Sequence, residues 1–216
     1  RRQVDLQDVL THEVGHFFGL DHTPLVGDPL VRPTMNPFNT SEAPREGRSL
    51  EADDIAGITA LYPSGSSTGG ISGQVLRPDG SGAFGVHVVA YRAGTNTFVA
   101  SALSGASGDG DYRIAGLPPG EYQVAIEPLN GQITYENFGG VFDRPFDIDF
   151  GRKFYNGAIS VAAGGETADI DFVLGSDAPT ISNAVLPVNT PDQIGPYQIF
   201  AQIQDQEGVV AAELVY

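Results

Sequence analysis

The stretch THEVGHFFGLDHT, residues 11–23, decides how the first part of this chain is interpreted, because it holds three of the four histidines. They stand at His12, His16 and His22. Two explanations compete. Either the three imidazoles bind one metal ion, or a short helix and its following turn carry them by chance. The residues around the histidines favour the metal ion.

The spacing of this stretch predicts an amphipathic helix with its histidines on one side. His12 and His16 are four positions apart, so both side chains project from the same helical face. Gly19 follows, and a glycine in the left-handed conformation ends a helix at little cost and lets His22 turn back. Apolar residues recur every three or four positions and are expected on the opposite face: Leu6, Leu10, Val14, Phe17 and Phe18.

Three histidines with an adjacent glutamate predict a catalytic zinc site. Three neutral imidazoles at about 2.0–2.1 Å leave Zn²⁺ one open coordination position, which is typical of catalytic rather than structural sites. Glu13 is rotated by about 100° around the helix from His12 and can reach a water on the metal without being a ligand. We therefore predict His12, His16 and His22 as zinc ligands and Glu13 as general base and then acid. No other cofactor-binding residues are predicted.

Composition excludes several classes of partner. The chain has 216 residues, 27 acidic against 11 basic, and a formal net charge of −16. Such a surface repels nucleic acid and anionic membranes, so no nucleic-acid partner is expected. No apolar run approaches the roughly 18 residues that span a bilayer. The absence of cysteine excludes a disulfide framework.

The helical patterns are confined to residues 1–63, which we take as the first domain. A second helix is predicted within SLEADDIAGITALYP, residues 49–63. Ser49 is the expected N-cap, Asp53 and Asp54 place negative charge at the positive end of the helix dipole, and Pro63 ends the helix. SGSSTGG, residues 64–70, has the composition of a flexible linker.

Beyond the linker the apolar period changes from helical to alternating, which predicts β-strands separated by turns. Residues 71–175 form one expected β-sandwich domain, with strands predicted within 71–80, 85–94, 111–128 and 167–175. Residues 176–216 alternate again over a length too short to close a sandwich, so we expect a partial β module. His87 stands alone on a predicted strand and is expected to be structural.

The histidine stretch resembles the HExxHxxGxxH signature of the metzincin zinc endopeptidases. The resemblance is closest to the matrixins and implies that residues 1–63 are the C-terminal part of an α+β catalytic domain, in a longer protein. It also implies that Met35 supports the metal site from below, in a methionine turn. The pair Asp53 and Asp54 is implied to be structural, with one of them bracing that turn. Gly19 belongs to the same signature.

The later segments resemble mainly-β modules, so the predicted fold class is multidomain. Residues 71–175 resemble the carboxypeptidase regulatory-like, or transthyretin-like, β-sandwich, and residues 176–216 resemble the start of a bacterial immunoglobulin-like domain. The aromatic-rich residues 134–157 admit two interpretations, a sugar-binding platform or a long excursion with a partly buried aromatic cluster. The first would give the β modules a polysaccharide or matrix ligand.

Together these features predict a secreted zinc endopeptidase that hydrolyses peptide bonds of extracellular proteins by a metal-activated water. The alternative is a surface or matrix-binding β-module protein that carries an inactive protease remnant. An intact Glu13 favours the enzyme. We expect the 216-residue chain itself to be inactive, because the apolar stripe of the first helix lacks a sheet to pack on. The sequence leaves open the protein substrate, the cleavage preference and the activation mechanism.

Overall fold

A computed structural model describes residues 5–25, 32–38, 46–95, 97–105, 109–138, 144–175, 180–185 and 200–204. Within these ranges the α-helices are α1 (Leu6–Phe17) and α2 (Ala52–Leu61), with 3₁₀ turns at Glu46–Arg48 and Tyr135–Phe138. The rest of the regular structure is β. The predicted change from helical to mainly-β structure along the chain is confirmed.

Helix α1 is held at its start by polar contacts and exposes its apolar side. Asp5 is the N-cap, and its carboxylate accepts hydrogen bonds from the amides of Gln7 and Asp8 at 3.1 Å. Arg48, from the first 3₁₀ turn, pairs with the same carboxylate. The predicted apolar stripe is largely exposed, and Phe17 reaches 85% exposure. Within the described part of the chain, α1 is therefore held in place more by its cap and side-chain hydrogen bonds than by apolar burial.

Helix α2 begins at Ala52 with Glu51 as its N-cap, so the prediction of Ser49 in that role is wrong. The carboxylate of Asp54 accepts the Glu51 amide at 2.9 Å, which is one half of a capping box and starts the helix at this residue. Ser49 instead donates its hydroxyl to Glu51 Oε1 at 2.7 Å.

The strands after the linker form two sheets that pack as a sandwich. Their bounds are β1 Gly69–Leu76, β2 His87–Arg92, β3 Thr97–Leu103, β4 Asp111–Leu117, β5 Gly120–Glu127, β6 Lys153–Phe154, β7 Ile159–Val161, β8 Glu166–Thr167 and β9 Phe172–Val173. One sheet has the order β4-β1-β8 with β9 beside β1, and the other has the order β3-β2-β5-β6 with β7 beside β5. Most pairs are antiparallel, but β8 and β9 run parallel to β1.

The sandwich core lies between the two sheets and extends to helix α2. Its fully buried members include Ile71, Val75, Val88, Ile114, Leu117, Val124 and Ile126. Ala56 of α2 belongs to the same apolar cluster. The close approach depends on Gly116 in β4, where φ is +73° and any Cβ would overlap the carbonyl oxygen of Ala56. The helical segment and the sandwich therefore share one packed interface.

The last described segment consists of β10 (Thr180–Val185) and β11 (Phe200–Gln204), which pair antiparallel. Most of the expected immunoglobulin-like module lies outside the described residues. Neither α1 nor α2, nor any other described helix, has the length and apolar content needed to cross a bilayer.

Candidate metal centre

The three clustered histidines converge on one point. The Nε2 atoms of His12 and His16 lie 3.1 Å apart, and those of His16 and His22 lie 3.2 Å apart. All three side chains are half-buried. The ligand atoms of the three side chains all lie within 4.8 Å of one another, which is close enough to hold one metal ion.

Each imidazole is also fixed from its other nitrogen. The Nδ1 atoms of His12, His16 and His22 lie 2.7, 2.9 and 2.8 Å from the backbone carbonyl oxygens of Thr34, Leu20 and Asn137, respectively. A carbonyl oxygen can only accept, so Nδ1 must carry the proton in all three rings. The three Nε2 atoms then present lone pairs to one another.

This arrangement fits a zinc ion. The lone pair on His16 Nε2 lies about 3 Å from those of His12 and His22 and is repelled by both, and a cation between the three nitrogens removes that repulsion. Tetrahedral bonds of about 2.0–2.1 Å to zinc place two ligand nitrogens about 3.3 Å apart, close to the observed separations. The hydrogen bonds to Nδ1 are the outer contacts that metal-binding histidines ordinarily make.

The end of α1 brings His22 back to the helix. Gly19 has φ of +91°, a conformation that favours glycine. Its amide donates to the carbonyl of His16 at 2.9 Å, and the amide of Leu20 donates to that of Gly15 at 3.0 Å. These bonds close the helix and reverse the chain, so that His22 reaches His16 six residues earlier.

Met35 lies directly beneath α1. The residue is 3% exposed, and a Cβ added at Gly15 would overlap its sulphur. Its carbonyl accepts the amide of Thr23 at 3.0 Å, which ties the turn around Met35 to the residue after His22. The methionine therefore packs against the helical turn between the first two histidines.

The two aspartates of α2 have different surroundings. Asp54 is buried and accepts the backbone amides of Thr34 at 2.9 Å and Met35 at 3.0 Å, so it braces the turn around the methionine. Asp53 faces the sandwich and accepts the amide of Ser101 in β3 at 3.1 Å. The pKa of the Asp53 carboxyl is raised to about 7, chiefly by burial and also by the neighbouring charge of Asp54, while hydrogen bonds from Thr23 and Ser101 oppose the shift.

Glu13 is exposed and lines a cavity of about 220 Å³ together with His12. The wall opposite α1 comes from the chain around the methionine turn, including Pro33, Thr34 and Phe38. The glutamate therefore has access to solvent beside the first histidine, as a group that exchanges protons with a bound water requires.

Sequence reasoning missed the contribution of the sandwich to this centre. The partner of His22 comes from Asn137, which is 115 residues away. Strand β3, which supplies the amide that Asp53 accepts, was also not among the predicted strands. Backbone carbonyls and amides carry no signature in a sequence. The weak alternation of TFVASAL, residues 97–103, was the available signal for β3.

The described aromatic residues of 134–157 are divided between the interior and the surface. Phe138, Phe146 and Phe150 are buried, whereas Tyr135 and Phe154 are 36% and 44% exposed. The first two belong to a second apolar cluster, against which Phe38 of the helical segment packs. Its other buried members are Phe84, Leu129 and Ile133. Burial favours the interpretation of an aromatic cluster over that of a sugar platform.

The three imidazoles lie on a helix and its return turn, in a segment that is joined to a β-sandwich. Residues 1–63 match the matrixin family, and residues 70–175 match the carboxypeptidase regulatory-like domain. The metalloendoproteinase 4-MMP of Arabidopsis thaliana is 37% identical over 59 residues. The match covers 27% of this chain and 15% of that relative, so the chain spans a small part of its length.

Solved structures overlap this chain only loosely. The Bacillus anthracis TIE protein gives a TM-score of 0.32 at 15% identity, over 50% of this chain and 16% of that one. A putative carbohydrate-binding protein from Bacteroides uniformis gives 0.30 at 16% identity, over 59% and 49%. Neither overlap is close enough to carry an argument about ligands.

Proposed function

We propose that this chain carries the zinc site of a matrixin-type endopeptidase, with His12, His16 and His22 as ligands. The observation that supports the proposal most strongly is the convergence of three Nε2 atoms whose rings are each fixed by a carbonyl at Nδ1. A chance cluster of histidines has no reason to place all three lone pairs on one point.

Glu13 is the proposed proton carrier in peptide hydrolysis. Zinc, when bound, supplies a polarised water of pKa about 7 and a Lewis acid for the peptide carbonyl. The Glu13 carboxylate accepts a proton at one of its oxygens and later donates it to the nitrogen of the leaving amine. Met35 and Asp54 position α1 and the turn beneath it and do not touch the substrate.

The proposed substrate is a protein or peptide outside the cell. The acidic composition suits an extracellular setting, and the β module is then an accessory domain. The alternative is a matrix-binding β protein with an inactive peptidase remnant. The exposed stripe of α1 favours inactivity of this chain taken alone. It does not favour a decayed site, because all four metal-site side chains are present.

The test is metal content after dialysis, measured by elemental analysis on the 216-residue chain and on substituted forms. We expect about one zinc per chain in the parent and in Glu13→Ala, and loss of zinc in His16→Ala. His87→Gln is the matched control, because it removes the histidine outside the cluster, and it should retain zinc.

Zinc binding to the parent that survives His16→Ala would contradict the proposed ligand set. If the parent binds no zinc, the alternative of an inactive remnant is favoured for this chain. Casein hydrolysis by a chain extended upstream then tests catalysis itself. Glu13→Ala should abolish hydrolysis there without removing the metal.

A further inference from the structure

We propose that the β-sandwich domain completes the zinc site, with the backbone carbonyl of Asn137 as the positioning group for His22. The inference rests on the proposed zinc site and goes beyond it, because it makes a regulatory-like β domain part of the metal centre. Its basis is the 2.8 Å contact between His22 Nδ1 and the Asn137 oxygen.

His22 is the ligand that most needs such a group. His12 and His16 are carried by α1, and their Nδ1 partners, Thr34 and Leu20, also come from residues 1–63. His22 lies beyond the helix, in chain without regular structure. Its ring orientation therefore depends more on the bond at Nδ1 than those of the other two ligands do.

The Asn137 carbonyl is held firmly enough to act in this way. The Asn137 side chain accepts the Thr134 amide at 2.8 Å, and its own amide donates to the Thr134 carbonyl at 3.1 Å. Phe138, the next residue, is 3% exposed and lies 5.7 Å from Phe146, ring centre to ring centre. The closed turn and the buried ring together set the direction of the carbonyl.

Three further contacts hold the two segments together, so the bond to His22 does not stand alone. Phe38 packs against the aromatic cluster of the sandwich. Asp53 accepts the Ser101 amide at 3.1 Å. Ala56 of α2 rests against Gly116 of β4.

The experiment measures the zinc dissociation constant by chelator competition for the parent, Asn137→Ala and Asn137→Asp. Alanine removes the side-chain oxygen that closes the turn, whereas aspartate keeps it. We expect zinc binding to weaken by about 10- to 100-fold in Asn137→Ala, the usual cost of disturbing an outer contact to a metal ligand, because the opened turn no longer directs the carbonyl at His22. Asn137→Asp should restore most of the affinity. Asn130→Ala is the matched control on an exposed asparagine shortly before this turn and should bind as the parent does.

A second measurement follows the His22 ring directly, by long-range ¹H–¹⁵N NMR of the zinc-free and zinc-loaded chain. The inference requires a protonated Nδ1 in His22, a cross-peak between that proton and Asn137 or Phe138, and loss of the cross-peak in Asn137→Ala. A general loosening of the fold would instead change the His12 and His16 signals equally.

The possible failures are distinguishable. If the parent binds zinc and Asn137→Ala binds it equally well, the inference is wrong and the proposed function stands. If the parent binds no zinc, the proposed function fails for this chain. The cross-peak of the zinc-free protein still decides whether Asn137 holds the ring, and its absence overturns the inference.

Discussion

The matrixin-like segment, residues 1–63, and the sandwich are stabilised in different ways. The sandwich buries a continuous apolar core between two sheets, in which many side chains are fully enclosed. In the matrixin-like segment, apart from prolines, the described apolar residues that are buried are Leu25, Met35 and Ala56. Ala56 belongs to the core of the sandwich rather than to a separate one.

The difference explains how the metal site stays organised. The segment is held by directed hydrogen bonds, which Asp54 accepts from the methionine turn and which the three imidazoles donate to backbone carbonyls. Such bonds contribute about 1 kcal/mol each, too little to fix a fold without support from a packed surface. The sandwich provides that surface for α2.

The largest difference in stability should appear when a leucine is replaced by alanine in each region separately. Leu117 is fully buried in β4, whereas Leu10 of α1 is 58% exposed. We expect Leu117→Ala to lower the free energy of unfolding by about 2–5 kcal/mol. Leu10→Ala should change it by no more than about 0.5 kcal/mol. Urea denaturation followed by circular dichroism measures both. An equal loss would show that α1 is packed more tightly than its exposure indicates.

The positions of the clustered histidines were easier to predict from sequence than the contacts with the sandwich that support them. His12 and His16 are close because a helix places residues four apart on one face, and the return of His22 follows from Gly19. The apolar stripe of α1 was also predictable, and so was the difficulty of covering it. These conclusions need only local geometry, which sequence spacing specifies.

The interface could not be predicted, because it depends on contacts distant in sequence and on backbone atoms. Nothing in the sequence pairs Asp53 with Ser101 or His22 with Asn137. The prediction of Ser49 as N-cap failed for a related reason. A serine is a favourable N-cap in general, but here the Asp54 carboxylate closes the capping box at Glu51 and starts the helix there.

A smaller effect is expected from Asp54→Asn, which tests whether polar contacts hold the matrixin-like segment. Asp54 accepts backbone amides of Thr34, Met35 and Glu51, and an asparagine must turn its NH₂ group toward at least one of them. We expect a loss of about 1.5–3 kcal/mol in the free energy of unfolding, with weaker zinc binding. Asp149→Asn on the exposed surface serves as the charge-matched control and should leave both quantities unchanged.

Next in size should be Gly116→Ala, which tests the contact between the two regions. Gly116 and Gly94 have φ of +73° and +80°, so alanine is strained at both. Only at Gly116 does the added Cβ meet the backbone of Ala56, since Gly94 has no atom within 4 Å. Overpacking of this kind costs about 1–3 kcal/mol beyond the strain. The melting temperature and the zinc affinity should fall further in Gly116→Ala than in Gly94→Ala. Equal values for the two variants would show that α2 does not rest on β4.

The smallest effect should be a pH dependence at the same interface, from Asp53. Its pKa is raised to about 7 from an ordinary value of 3.8, chiefly because burial disfavours the charged form, with Asp54 adding to the shift. The folded state therefore binds the proton more tightly than the unfolded state does. The stability that this group contributes is complete below about pH 4 and is lost as the pH rises toward and through 7. The effect stays small for two reasons. Asp53 is partly exposed, and a neutral carboxyl can still accept the hydrogen bond from the Ser101 amide.

The measurement is the melting temperature of the parent and of Asp53→Asn from about pH 4 to 9. The parent should lose stability relative to the variant across that range, and parallel curves would mean that Asp53 stays ionised against the sandwich.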